Sequence, residues 1–303
     1  MKHLHPRSVA TGVVALVLSC LPGLASAGTS SIATTPASVL AAVANGTKLK
    51  TVPSSLTPSL SNVRNDAPQG FACGGSPTAC NAGVTNTPRQ LVVFGDSHAA
   101  MWFGALAHGL SSKYHVLLRW KASCPAAQVT VQDTTVVTGS DCNAWRAKAL
   151  EQTLADHPKA VVVAERTSGV KDSSGQLFTS AKWKAGLLST LNAFRNAHIP
   201  VILLGDNPAF TSVPASCVAI HPTAVQSCTV ALRSRDLPVT LANIEQQVAA
   251  QTHAKFIPTT SLFCTATQCP PIVNNLFVYF DDLHMTQTYS IYLSKVITKL
   301  TGL

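Results

Sequence analysis

From residue 90 onward, short apolar runs alternate with longer amphipathic stretches, and this alternation limits the possible folds most strongly. The apolar runs predict five strands, at 91–94, 115–119, 160–164, 200–204 and 255–257. Helical spacing of apolar residues predicts helices near 99–112, 142–156, 180–197, 238–252 and 286–300. Strands that alternate with helices are typical of βαβ units, whose strands lie parallel in one sheet. The sequence therefore predicts an α/β domain in which helices flank a five-stranded parallel sheet.

The first predicted strand, 91–94, runs into the motif Gly95-Asp96-Ser97-His98. Because apolar residues then recur at helical spacing, Ser97 is expected at the turn from a strand to a helix. Open α/β folds bind ligands at the carboxyl ends of their strands, and the first N–H groups of a helix lack partners. Ser97 is thus a candidate nucleophile, and its own N–H is a candidate oxyanion donor. In the alternative interpretation, Gly95 and Asp96 only make the turn and Ser97 caps the helix.

A second motif, Asp281-x-x-His284, lies near the end of the chain. A serine nucleophile needs a base that takes its proton, and that base needs a carboxylate that fixes its tautomer. The three-residue spacing lets the carboxylate of Asp281 reach the ring of His284 where the segment turns into a helix. Asp282 is the alternative carboxylate. Taken alone the motif also fits a helix start with a surface histidine, but its combination with the serine motif favours catalysis.

Together the two motifs resemble those of the SGNH (GDSL-like) hydrolase superfamily. The resemblance is closest to SGNH domains fused to membrane-bound acyltransferases that modify bacterial surface sugars, and it extends over nearly all of the chain after the first 27 residues. The further segments that carry it are 52–53, 56–60, 121–125, Cys142-x-x-Trp145-Arg146, Cys264 and Cys269. It implies an SGNH-type three-layer sandwich built on the parallel sheet.

The resemblance also implies an activity, in which Ser97 attacks an ester carbonyl, His284 takes and returns the proton, and Asp281 orients the ring. It implies a small acyl group, acetyl first, and a cell-envelope carbohydrate as substrate or acceptor, with no metal or organic cofactor. Water as acceptor would make an esterase, and a sugar hydroxyl would make an O-acyltransferase. A transferase would need a separate membrane acyltransferase as its donor partner. A non-catalytic glycan-binding module with the same fold is the alternative.

Two residues that SGNH enzymes use as oxyanion donors, a glycine after the second strand and an asparagine after the third, are absent here. Ser123 is expected to donate its backbone N–H in place of the glycine. Arg166, near the place of the asparagine, has three candidate roles: it could stabilise the oxyanion, pair with Glu165, or bind an acidic group of the substrate. His98 is expected either to line the pocket or to have its hydrogen-bonding groups satisfied within the first helical turn. Asn207 follows the fourth strand and is interpreted as a turn residue.

The first 27 residues are predicted to be a secretory signal peptide. Lys2 and Arg7 precede an apolar run over 9–24, and small residues follow up to Ala27. Cleavage there would leave a secreted or periplasmic chain and lower its formal charge from +9 to +7, because only Lys2 and Arg7 are lost. Lipidation at Cys20 is a weaker alternative. Residues 28–89 are predicted to be an N-terminal extension that wraps the core, and 90–303 the SGNH catalytic domain.

Eight cysteines follow the predicted signal peptide and fall into four nearby pairs. In an oxidising compartment they predict the disulfides Cys73–Cys80, Cys124–Cys142, Cys217–Cys228 and Cys264–Cys269, although eight cysteines formally allow 105 pairings. A metal site is the alternative, but the spacings are irregular, Cys-x-x-Cys is absent from the sequence, and the histidines show no ligand spacing.

The positive charge is scattered along the chain and forms no Lys/Arg run, so no nucleic-acid partner is predicted. The four tryptophans are candidates for sugar-stacking platforms, but packing in the core is expected for at least three of them. They are Trp102, Trp120, Trp145 and Trp183.

Overall fold

A computed structural model describes residues 31–73, 80–232 and 239–303. The predicted signal peptide and Cys20 lie outside the described residues. The strands are β1 (Cys80–Gly83), β2 (Gln90–Gly95), β3 (His115–Trp120), β4 (Ala160–Ala164), β5 (Val201–Leu204), β6 (Val230–Ala231), β7 (Lys255–Ile257), β8 (Gln268–Cys269), β9 (Ile272–Val273) and β10 (Leu276–Phe277). The helices are α1 (Pro36–Gly46), α2 (Ser97–Leu110), α3 (Gly139–Asp156), α4 (Ser180–Asn196), α5 (Pro214–Ile220), α6 (Val239–Thr252), α7 (Gln287–Tyr292) and α8 (Ser294–Thr301).

The central sheet has six strands in the order β1-β3-β2-β4-β5-β7. The five predicted strands are confirmed as β2, β3, β4, β5 and β7, and neighbouring members of this set pair in parallel. The predicted strand number was wrong by one. β1, which comes from the segment before residue 90, pairs antiparallel with the outer edge of β3.

Alternate residues of each central strand face opposite sides of the sheet, and both sides are covered. In β2, Leu91 and Val93 pack with α2, α7 and α8, whereas Val92 and Phe94 pack with α3, α4 and α6. All four side chains are fully buried. A strand that is buried on both faces has a continuous run of apolar residues in its sequence. Because of these runs, the strands could be predicted from the sequence. The result is a three-layer α/β sandwich.

The predicted helices are present, with differences at their ends. The predicted helix over 286–300 is divided at Leu293 into α7 and α8, which pack on α2 together. Residue 238, the predicted start of α6, lies outside the described residues. Three helices are capped by a threonine that accepts a hydrogen bond from a backbone N–H in the first turn: Thr138, Thr179 and Thr286. Each cap gives a partner to one N–H group that has no acceptor within its helix.

The described part of the segment before β1, residues 31–73, lies against the body of the molecule. Val39 and Val43 of α1 belong to the same buried cluster as α2 and α8. The Ala33 N–H donates to the Tyr292 carbonyl, and a 3₁₀ helix, Gln69–Cys73, packs on α2. These contacts place part of the extension beside the carboxyl-terminal helices.

The four cysteine pairs are those predicted from spacing. Three pairs have Cα–Cα separations of 5.4 to 5.8 Å, within the usual range for disulfides, and Cys264–Cys269 is shorter at 4.1 Å. The pairs Cys73–Cys80 and Cys124–Cys142 tie the 3₁₀ helix to β1 and the segment after β3 to α3. Within the described parts of the chain, none of the helices combines the length and apolar character needed to cross a bilayer.

Candidate active site

The turn that carries Ser97 is shaped by the two residues before it. Gly95 ends β2 with φ +150°, and a Cβ there would collide with the carbonyl oxygen of Ala164 in the neighbouring strand. Asp96 caps α2: one carboxylate oxygen accepts from the His98 N–H at 2.8 Å and the other from the Arg166 N–H at 2.8 Å. Ser97 is therefore the first residue of α2, at the carboxyl edge of the sheet.

His284 links Ser97 to a carboxylate. Its Nε2 lies 2.8 Å from the Oγ of Ser97, and its Nδ1 lies 2.7 Å from Oδ2 of Asp281. The other oxygen of Asp281 accepts from the backbone N–H groups of Leu283 and His284, each at 2.7 Å. The structure thus brings together the three residues predicted from two distant motifs, and Asp281 rather than Asp282 contacts the ring.

The pKa of Asp281 lies below its usual value. Partial burial acts to raise it, but the hydrogen bond and charge of His284, with the N–H groups of His284 and Leu283, outweigh burial and lower it. An ionised carboxylate beside Nδ1 holds a proton on that atom and leaves Nε2 free to accept one from the serine hydroxyl. The arrangement can therefore deprotonate Ser97.

A cavity of about 200 Å³ opens at the Ser97 hydroxyl, and Ser123 and Arg166 line it with His284. Ser123 has φ +57°, a left-handed conformation that glycine usually adopts. The N–H groups of Ser97 and Ser123 donate to no other described residue. Both N–H groups are thus uncommitted within the described chain and belong to residues that line the cavity.

The alternative that Arg166 pairs with Glu165 is wrong. Glu165 points into the core, where Oε2 accepts from the Ala127 N–H at 2.8 Å, and its side chain is 1% exposed. Burial raises the pKa of Glu165 to about 8. Arg166 lines the cavity instead.

The model of the SGNH domain (fused to AT3 domains) matches residues 64–299, which is more than half of the chain. The chain belongs to the SGNH family. No curated protein matches it closely enough to count as a relative.

Solved structures with a similar fold to this SGNH chain include the periplasmic domain of a lipopolysaccharide acetyltransferase from Salmonella ser. Paratyphi A. The two are 15% identical, the TM-score is 0.60, and the match covers 81% of this chain and 98% of the other. Est24, a carbohydrate acetylesterase from Sinorhizobium meliloti, is 14% identical, with a TM-score of 0.46 over 71% of this chain and 98% of its own. An aryl esterase of M. smegmatis is 14% identical, with a TM-score of 0.45, and the match covers 71% of this chain and 97% of the esterase.

In this SGNH domain His98 does not line the cavity. Its side chain is 2% exposed, its Nδ1 lies 2.6 Å from Oδ1 of Asp206, and its ring packs edge-on against His284 at 5.4 Å. The contact is an ion pair when His98 is protonated. Although burial disfavours the charge, the carboxylate of Asp206 raises the pKa of His98, and His98 lowers that of Asp206. His98 is therefore placed to support the ring of His284 and not to contact a substrate in the cavity.

Sequence reasoning missed two residues that hold the His284 segment of the SGNH site. Asn207, interpreted as a turn residue, is fully buried and donates from Nδ2 to the carbonyl of Leu283 at 2.8 Å. Phe71, from the extension, packs edge-on against the His284 ring at 5.0 Å and stacks on Trp120 at 5.5 Å. The Asn-Pro pair after β5 was the available signal for Asn207, but it indicates a turn equally well.

The tryptophans of the SGNH domain serve in packing. Trp102, Trp120 and Trp183 are buried, and the partly buried Trp145 stacks on Phe94 at 5.9 Å. Across residues 31–73, 80–232 and 239–303, no group of three or more His, Cys, Asp or Glu side chains is arranged to hold a metal ion.

Proposed function

We propose that this chain is an exported serine-dependent O-acyltransferase or esterase that acts on cell-envelope carbohydrate through an acyl-enzyme. The observation that supports it most is the continuous hydrogen-bonded series from the Ser97 hydroxyl through His284 to Asp281. The series ends at a cavity with two unused N–H donors, those of Ser97 and Ser123. A nucleophile, a base, an orienting carboxylate and oxyanion donors are the components that acyl transfer needs.

In the proposed reaction the Ser97 Oγ attacks the ester carbonyl carbon while its proton moves to Nε2 of His284. The N–H groups of Ser97 and Ser123 stabilise the oxyanion. When the carbon–oxygen ester bond breaks, His284 gives the proton to the departing alcohol, and the acyl group stays on Ser97. Water or a sugar hydroxyl then attacks, His284 takes its proton, and that proton returns to Ser97 as the acyl group leaves.

The substrate class and location rest on three supports. The family model describes SGNH domains fused to AT3 domains, and the Salmonella structure of similar fold is a periplasmic domain of a lipopolysaccharide acetyltransferase. The four disulfides are typical of an oxidising compartment. The predicted signal peptide fits export. We accordingly propose acetyl as the acyl group and, for the transferase direction, a separate membrane acyltransferase as donor.

Hydrolysis of p-nitrophenyl acetate tests the nucleophile. Ser97→Ala is expected to abolish turnover and labelling by a fluorophosphonate, whereas the wild type is labelled once, at Ser97. Ser112→Ala is the matched control, because this exposed serine follows the other end of α2 and should leave both readouts unchanged. Equal activity of Ser97→Ala and wild type would reject the assignment.

The direction of the reaction needs an acyl donor and candidate glycans incubated together. An acylated sugar formed above the hydrolysis background identifies a transferase, and release of the acid alone identifies an esterase. A protein that binds the glycan but neither turns over esters nor reacts with the fluorophosphonate would be the non-catalytic glycan-binding module.

A further inference from the structure

Arg166 is anchored beside the Ser97 hydroxyl by its backbone. Its N–H donates to Asp96, the capping residue of α2, and β4 ends two residues earlier in register with Gly95. The guanidinium lies over Gly169, where an added Cβ would sit 3.0 Å from Nη2. Gly169 also lines the cavity. The positive charge is therefore held in the lining of the proposed acyl-transfer site.

This guanidinium has no counter-charge among the described residues. No described carboxylate lies within 4.0 Å of it, and its Nε is buried without a hydrogen-bond partner. The one acidic residue in the described cavity lining, Asp96, has its oxygens bound by backbone N–H groups. Lys171 adds a second cationic residue to the lining. An unpartnered guanidinium in a partly enclosed cavity favours a bound anion.

The oxyanion does not require this charge. Ser97, at the start of α2, and left-handed Ser123 both line the cavity, and the N–H of neither residue has another described acceptor. Two backbone N–H donors form the oxyanion hole of the serine-protease type of acyl-transfer site, without the asparagine that SGNH enzymes generally add. Arg166 is thus left for a different part of the substrate.

We propose that Arg166 binds an anionic group of the sugar, a carboxylate or a phosphate, and so selects acidic glycans as substrate or acceptor. The proposal rests on the acyl-transfer function proposed above. A guanidinium matches the paired oxygens of either anion in a bidentate contact, which fixes the sugar while its ester or hydroxyl lies at Ser97.

The test compares three methyl glycosides that carry the acetyl ester on the same hydroxyl and differ only at carbon 6: a glucoside, a glucuronoside and a glucoside 6-phosphate. The wild type is expected to favour at least one anionic ester by about 10- to 100-fold in kcat/KM. Arg166→Gln should lose that preference, because its kcat/KM falls more on the favoured anionic ester than on the neutral ester. The better of the two anionic esters distinguishes a carboxylate from a phosphate. Arg89→Gln, at an exposed site before β2 at the opposite end of the sheet, is the control.

Two results would overturn the assignment: equal rates of the wild type on all three esters, or an equal loss on all three in Arg166→Gln, which would mark an oxyanion donor. If the wild type hydrolyses none and resists the fluorophosphonate, the proposed function fails by itself. In that case, the role of Arg166 is tested by calorimetry, which measures how tightly the wild type and Arg166→Gln bind the unacetylated glycosides. Tighter binding of an anionic sugar that needs Arg166 supports the inference, and its absence rejects it.

Discussion

Asp281 and Asp282 are adjacent carboxylates, and only Asp281 bonds to the His284 ring. Asp281→Asn keeps the shape of the side chain but removes the charge that fixes the tautomer and stabilises the imidazolium. We expect kcat on p-nitrophenyl acetate to fall by about 10³- to 10⁴-fold. Asp282→Asn should stay within about threefold of wild type. Comparable losses in both variants would show that the carboxylates substitute for one another.

Glu165 makes stability depend on pH. Burial raises its pKa from 4.5 to about 8, so across this interval the folded chain holds a proton that the unfolded chain has released. Rising pH therefore lowers the free energy of unfolding between these values and has no further effect through this group above them.

In Glu165→Gln the free energy of unfolding should fall less steeply with pH, by the slope that corresponds to at most one bound proton. Urea denaturation at intervals from about pH 5 to pH 8 measures this slope. Part of the slope should persist because Glu245 is also fully buried and its pKa is raised by burial and by the charge of Glu165. Glu151→Gln, at an exposed position of α3, is the control. A slope unchanged by Glu165→Gln would contradict the assignment.

At the residue scale, the sequence could locate Ser97, Asp281 and His284 because each motif is local and each fits a turn into a helix. Asp206 and Asn207 could not be assigned in the same way. Their partners, His98 and Leu283, are distant in sequence, and only the folded chain brings them together. An Asp-Asn-Pro run after a strand otherwise indicates nothing more than a turn.

At the scale of elements, the strands buried on both faces were predictable because a parallel sheet imposes a continuous apolar run. β1 was not predictable, because the strand has only four residues, Cys-Asn-Ala-Gly, and only the cysteine is buried. Its pairing with β3 comes from tertiary placement. The division between α7 and α8 was also missed, since the apolar spacing over 286–300 continues through Leu293.

The 3₁₀ helix of the extension contributes Phe71 to the site. Its edge-on contact with His284 should be worth about 0.5–1.5 kcal/mol. Phe71→Ala is thus expected to lower kcat on p-nitrophenyl acetate by about threefold to tenfold. Phe178→Ala removes an aromatic contact with Trp183 outside the described cavity lining, so it should lower stability and leave kcat unchanged. Equal kcat losses would mean that Phe71 acts only through stability.

For the molecule as a whole, the disulfides differ in how much freedom they remove from the unfolded chain. Cys124–Cys142 joins residues 18 apart, and Cys264–Cys269 joins residues 5 apart. Replacement of both cysteines by alanine should cost about 3 kcal/mol for the first pair and about 2 kcal/mol for the second. Urea denaturation measures both. The reverse order would show that contacts in the folded state dominate over loop closure.

The pairing of β1 along β3 also governs how molecules behave toward one another. With β1 in place, the outer edge of β3 is paired within the same chain over residues 115–118. A chain truncated to begin at residue 90 would retain Ser97, Asp281 and His284 yet present a bare strand to solvent. Such an edge is a template for strand addition between molecules. Aggregation of the truncated protein would then hide whatever activity its site retained, and the extension would be what keeps neighbouring copies apart.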